Sequence, residues 1–250
     1  MRLNGKSAVV YGAAGNMGGA VARAFAREGA HVYLVGRTQK TLDEVAMEIT
    51  DLGGRATATR VDVFDRAAIE AHADRVVEQA GRLDISFNAV GMSALQDVPL
   101  IDMKLEDFMT PITDAARSQF ITATAAARRM TAQRSGVIVL LSTSAAGESR
   151  HRMGGFNVAC AGIEALNRSL AGELGRDGVR VVCIRPNFTP ETAPSLPEDD
   201  RHLQSLIRDT RLGRLPRLAE VAEAAVYAAS DGAGAMTGAV LNLTCGALVD

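Results

Sequence analysis

The chain has 250 residues, 47% of them hydrophobic, with 27 basic and 29 acidic side chains and a net charge of −2. That length suits one large α/β domain or two small ones, and neither a nucleic-acid footprint nor a membrane patch follows from the balanced charge. Three cysteines without a CxxC pair (Cys160, Cys183, Cys245) argue for a reducing compartment and against structural zinc, any other metal site or a disulfide framework. The apolar runs are too short to span a membrane and "MRLNGKSAVVYG" has no signal-peptide pattern, so a soluble, cytoplasmic protein is expected.

Short β-branched runs alternate with helical stretches. "SAVVYG" is followed by the apolar-periodic "GGAVARAFAREG", then "HVYLVG", then "TLDEVAMEITDLGG", whose closing glycines read as a helix stop. "ATATRVDV" is a third strand, "RAAIEAHADRVVEQAG" a third helix and "DISFNAVG" a fourth strand. A long helix over about Pro111–Gln133 precedes "GVIVLLSTS", and "GGFNVACAGIEAL" opens another that runs to about Gly175. "VRVVCIRP" and "AVLNLT" complete seven strands. Near-continuously apolar strands, each followed by a helix, predict a single-domain, doubly wound parallel α/β sheet with helices on both faces, a Rossmann fold over 1–250. The least regular stretch, 187–211, carries three prolines and an acidic cluster just after a strand's carboxyl end. Its place predicts a lid over a binding site.

"YGAAGNMGG" closes the first strand and opens the first helix, with Gly12, Gly15 and Gly18 three apart. Glycines there permit a tight turn and close backbone approach to a pyrophosphate, which a helix N-terminus attracts. The second strand ends "VYLVGRT". An acid at its end would bind the adenosine ribose hydroxyls and repel a 2′-phosphate. Arg37 and Thr38 after Gly36 suit a phosphate instead, so NADP(H) is expected over NAD(H).

On these residues the chain resembles the short-chain dehydrogenase/reductase family over essentially its whole length. "YGAAGNMG" is similar to the family's TGxxxGxG at Gly12 and Gly18, with Tyr11 for the usual threonine and Asn16 for the middle glycine. Asn16 tolerates left-handed backbone, so the turn is expected to survive. "VDV" puts Asp62 where the family contacts the adenine. "DISFNAVG" resembles DILVNNAG at Asn88 and Gly91, and "IRPN" matches a Pro-Gly turn at Pro186 but not at Asn187. The resemblance implies a cofactor groove formed by Gly12, Ala14, Gly15, Asn16, Met17, Arg37, Thr38, Asp62, Val63, Asn88, Ala89, Val90 and Pro186. It also implies a homo-oligomer, tetramer or dimer.

The resemblance further implies a tyrosine as acid/base, a lysine four residues on that lowers its pKa, a serine on the substrate oxygen and an asparagine supporting a relay water. The family's YxxxKAAxEAL aligns with "FNVACAGIEAL", placing Phe156 at the tyrosine and Cys160 at the lysine. The only tyrosines are Tyr11, Tyr33 and Tyr227, and no lysine lies beyond Lys104. Ala115, or Asp114 with a slip of one, stands at the asparagine. In "LLSTSAAG", Thr143 or Ser144 lies at the serine's distance before Phe156, and either hydroxyl could instead satisfy backbone. Arg150, His151 and Arg152 lie between them. His151 has the chemistry of an acid/base and an arginine that of an anion partner, against the reading of a solvated basic loop. Three functions stay open: an NADP(H) oxidoreductase with a non-standard site, a cofactor-binding regulatory protein, and a non-catalytic subunit beside an active relative.

Overall fold

Alternate residues of the apolar runs face opposite sides of one sheet. The computed structural model, which describes residues 1–148, 151–197 and 199–249, joins β1 (Ser7–Tyr11), β2 (His31–Gly36), β3 (Arg55–Arg60), β4 (Ile85–Asn88), β5 (Gly136–Leu141), β6 (Val179–Pro186) and β7 (Val240–Leu243). Their order is β3-β2-β1-β4-β5-β6-β7, and every pairing is parallel. The helices are α1 (Asn16–Arg27), α2 (Gln39–Asp51), α3 (Arg66–Ala80), α4 (Leu105–Gln133), α5 (Gly155–Leu174), α6 (Arg201–Asp209) and α7 (Leu218–Ala229). Among the described residues no helix is long and apolar enough to cross a membrane.

Two cores sandwich the sheet. Val10, Leu34, Phe87 and Val139 pack on one face with Phe25 of α1, Leu42 of α2 and Val226 of α7. Val9, Tyr33, Ile138 and Val181 pack on the other with Ile69 of α3, Met130 of α4 and Ile163 of α5. Each such side chain, fully buried, contributes about 1.5–3 kcal/mol. The doubly wound α/β architecture is therefore as the strand pattern predicts. Strand order reverses between β1 and β4, and that switch point opens a crevice at the carboxyl ends of the strands.

Three boundaries differ from expectation. The third strand ends at Arg60, because Val61 makes a last bond to Gly36 O at 3.0 Å and the chain then turns on Asp62, whose Oδ1 accepts from the Phe64 N–H. The long helix starts at Leu105, not at Pro111, which lies buried inside it. Glu106 and Asp107 suit its first turn. Gly155, lacking a Cβ, lets the start of α5 close onto the Phe108 carbonyl, a tertiary contact that holds the extra turns in place. Finally, the span 187–211 is partly regular: it holds a 3₁₀ turn at Pro190–Thr192 and α6, which Asp200 caps by accepting from the Leu203 N–H at 3.0 Å. Glu198 lies outside the described residues.

Candidate active site and cofactor groove

The glycine-rich turn sits at the switch point. Gly12 has φ 73°, which favours glycine, and a Cβ there would stand 2.7 Å from Ala89 O. Gly12 O accepts from the Gly15 N–H at 3.0 Å, which folds the turn back on itself. Gly15 is the N-cap of α1 and supplies no side-chain cap, so the first N–H groups of the helix stay open to an anion. The turn forms with Asn16 in it, without left-handed backbone there: Asn16 begins α1, and its Nδ2 donates to Glu191 O and Thr192 O at 3.3 and 3.2 Å. The turn is thus pinned to the segment after β6.

One cavity of about 580 Å³ runs from this turn toward β2, lined by Gly12, Ala14, Gly15, Arg37, Thr38, Val61, Val63, Ala89 and Val90 among others. Arg37 and Thr38 are exposed at its edge, and Arg37 makes no ion pair among the described residues. Three expected groove residues line neither this cavity nor the one that adjoins it: Asn16, Asp62 and Asn88. Asp62 is exposed on the rim outside this cavity, its carboxylate used by the turn before α3. Asn88 is buried beneath: its Nδ2 donates to Thr122 Oγ1 at 2.8 Å and its Oδ1 accepts from the Val90 N–H at 2.9 Å. It shapes the loop at Ala89 and Val90 without facing the groove, since a buried amide needs partners within the protein.

A second cavity, about 460 Å³, adjoins the first through Ala89, Val90, Gly91 and Met92. Met17, Leu141, Thr143, Ser144, Glu148, His151, Met153, Phe156, Pro186, Phe188, His202 and Leu206 line it. Thr143, Ser144, His151, Met17 and Pro186 therefore line one cavity. No tyrosine and no lysine lines this cavity among the described residues. Tyr11 and Tyr33 are buried in the core and Tyr227 lies on α7; burial pushes the Tyr11 phenol up. Among the described residues no three His, Cys, Asp or Glu side chains come together as a metal site.

The hydroxyls are already engaged. Ser144 Oγ donates to Asn187 Oδ1 at 3.0 Å. Thr143 Oγ1 accepts from the Ala145 N–H at 3.1 Å and lies 3.5 Å from Cys160 Sγ. Phe156 and Cys160 share a face of α5, but only Phe156 reaches the cavity. Cys160 is fully buried beneath it, and burial pushes its thiol up to about 11, too high for a nucleophile at neutral pH. Below it, Glu164 Oε1 and Oε2 each take a 2.7 Å bond from Arg185, and Ser142 Oγ donates to Oε1 at 2.7 Å. This buried cluster joins α5 to the ends of β5 and β6, and its Ser142 lines the cavity.

The lip is histidine-rich. His151 Nε2 lies 3.2 Å from Asp209 Oδ2, and its ring meets that of His202 edge-on at 5.3 Å. Arg152 is exposed and does not line the cavity, and Arg150 lies outside the described residues. His202 and Asp209 escaped the sequence reading because they lie on α6, some fifty residues beyond His151, with no local spacing to link them.

A family model described as enoyl-(acyl carrier protein) reductase, of the short-chain dehydrogenase type, matches residues 12–247. The chain belongs to the short-chain dehydrogenase/reductase family. It is 34% identical over 241 residues, 96% of this chain and 95% of the relative, to cis-4-hydroxycyclohexanecarboxylate dehydrogenase of Sinomonas cyclohexanicum. It is 30% identical over 251 residues, the full length of both chains, to 3-oxoacyl-[acyl-carrier-protein] reductase FabG of Thermotoga maritima. Among solved structures, a 7α-hydroxysteroid dehydrogenase complexed with NADH and 7-oxo glycochenodeoxycholic acid superposes with a TM-score of 0.86 at 27% identity, covering 98% of this chain and 95% of that one. The two joined cavities of this chain lie at the switch point of the sheet.

Proposed function

We propose that this protein is an oxidoreductase that takes NADP(H) in preference to NAD(H) and acts on an uncharged carbonyl, enone or imine without the family's tyrosine–lysine pair. The observation that carries the reading is the continuous groove, with an open helix N-terminus at the glycine turn and a mostly apolar cavity at the other end. A dinucleotide fits it: Gly12, Ala14 and Gly15 leave room for the pyrophosphate, Arg37 and Thr38 flank the ribose that carries a 2′-phosphate, and Val61 and Val63 border the base. Bound there, a reduced nicotinamide supplies a hydride. Met17 and Pro186 would flank the ring and Phe156 would form an apolar wall. Thr143 or Ser144 would orient the substrate oxygen. The span 187–211 would act as a lid, with Phe188, Thr192, His202 and Leu206 over the cavity.

The test is a fluorescence titration followed by a turnover screen over cyclic ketones, enones and cyclic imines. NADPH is expected to bind more tightly than NADH. Arg37→Asp should weaken NADPH about tenfold or more while sparing NADH, since a charged hydrogen bond contributes roughly 1.5–3 kcal/mol. Binding of neither cofactor overturns the reading. Tight binding without turnover across the screen favours a regulatory or non-catalytic subunit, which the engaged Ser144 hydroxyl and buried Cys160 also suit.

A homo-oligomer is part of the proposal. The outer face of α4 and α5 exposes Phe120 and Val158 around an apolar groove of about 300 Å³. Sedimentation equilibrium is expected to give a multiple of 26.3 kDa; a monomer at micromolar concentration would sink this part.

A further inference from the structure

We infer that His151, held by Asp209 of α6, carries the proton for the substrate oxygen in this cavity. The inference rests on the oxidoreductase reading, because without hydride transfer no oxygen needs a proton. The described lining holds three carboxylate or imidazole side chains: Glu148, His151 and His202. Of these, His151 is fixed from three directions. Its Nε2 is 3.2 Å from Asp209 Oδ2, its backbone N–H donates to Glu148 Oε2 at 3.2 Å, and the His202 ring packs across it at 80°. Among the described residues, Glu148, from its own loop, and Asp209 and His202, from α6, are titratable groups that face it.

A carboxylate on one ring nitrogen sets the tautomer: Nε2–H donates to Asp209, and Nδ1 is left to exchange. In the reducing direction the substrate carbon gains the hydride from a reduced nicotinamide. The oxygen takes a proton from the His151 imidazolium, and the ring, left neutral, recovers one from water. In the oxidising direction the neutral ring removes the hydroxyl proton. Asp209 remains a carboxylate throughout. Asp209 and His202 are positioning residues, so α6 completes the site as well as covering it. Phe156, on the same cavity, has no proton to give.

The full chain is assayed with NADPH and the ketones that the wild type reduces. His151→Gln is expected to lower kcat/KM on the order of 10²- to 10⁴-fold, with NADPH affinity unchanged, and to remove a limb of the pH profile. In His151→Ala, added imidazole should restore part of the rate, which a structural role would not permit. Asp209→Asn should lower the rate about tenfold or more. Independently of turnover, ring-nitrogen NMR of the cofactor-free chain should show one fixed tautomer at His151 that Asp209→Asn abolishes. Turnover in His151→Gln within about threefold of wild type, with the same pH profile, overturns the inference and leaves the oxidoreductase reading standing. A freely exchanging tautomer at His151 overturns it as well. NADPH binding without any wild-type turnover overturns the oxidoreductase reading and this inference together.

Discussion

Replacing Arg185 by methionine is expected to destabilise the folded chain by about 3–5 kcal/mol, because it strands a buried carboxylate. Glu164 and Arg185 are 6% and 9% exposed and meet through two parallel 2.7 Å bonds. The pair itself adds little over a well-packed apolar pair, since both ions lose their water; the large cost comes from removing one partner. Urea unfolding followed by circular dichroism measures it, and the melting temperature should fall by roughly 6–20 °C. Arg185→Met combined with Glu164→Leu should recover much of that loss. Arg185→Lys should fall between, because an ammonium cannot span both carboxylate oxygens. A loss under about 1 kcal/mol for Arg185→Met would show that the cluster is open to water.

Gly18→Ala is expected to weaken cofactor binding while leaving the sheet intact. The φ of Gly18 is ordinary, so the constraint is space. A Cβ there would overlap the Gly12 carbonyl oxygen and stand 2.8 Å from its carbon. Gly12 cannot yield easily, because its oxygen holds the Gly15 N–H and its own N–H donates to Val35 O at 2.9 Å. Overpacking of this kind costs about 1–3 kcal/mol, and the strain falls on the turn that would receive the pyrophosphate. A rise in the NADPH dissociation constant of about tenfold or more is the expected reading, since each factor of ten is 1.4 kcal/mol. An unchanged constant would place the pyrophosphate elsewhere.

The fold was legible because its signals are local and redundant. Each strand is a short β-branched run, each helix has its own period, and the alternation of Val9 with Val10 already assigns two faces. The glycine turn was legible for the same reason: Gly12, Gly15 and Gly18 act within seven residues. Boundaries were less so. Nothing near Pro111 says that Gly155 holds the preceding turns helical. At the site, residue type and chain position suffice to bring Thr143, Ser144, Arg37 and Pro186 to the cavity walls. The direction of a side chain was not legible, as for Asn88, which turns inward, and Asp62, which turns to the rim, since spacing fixes a backbone position and not a direction. Asp209, His202 and the buried Glu164–Arg185 pair were invisible, because their partners are joined only by the fold.

The separation between sheet and loops has a consequence for how such a chain can change through descent. The interior strands hold one another through their own apolar faces, and none depends on what stands at 156 or 160. Phe156 merely borders a cavity and Cys160 fills a small interior space. Lineages built on this architecture can therefore exchange the groups at the mouth of the crevice one at a time, each intermediate still folding. A shared ancestry fixes the scaffold far more firmly than it fixes the reaction.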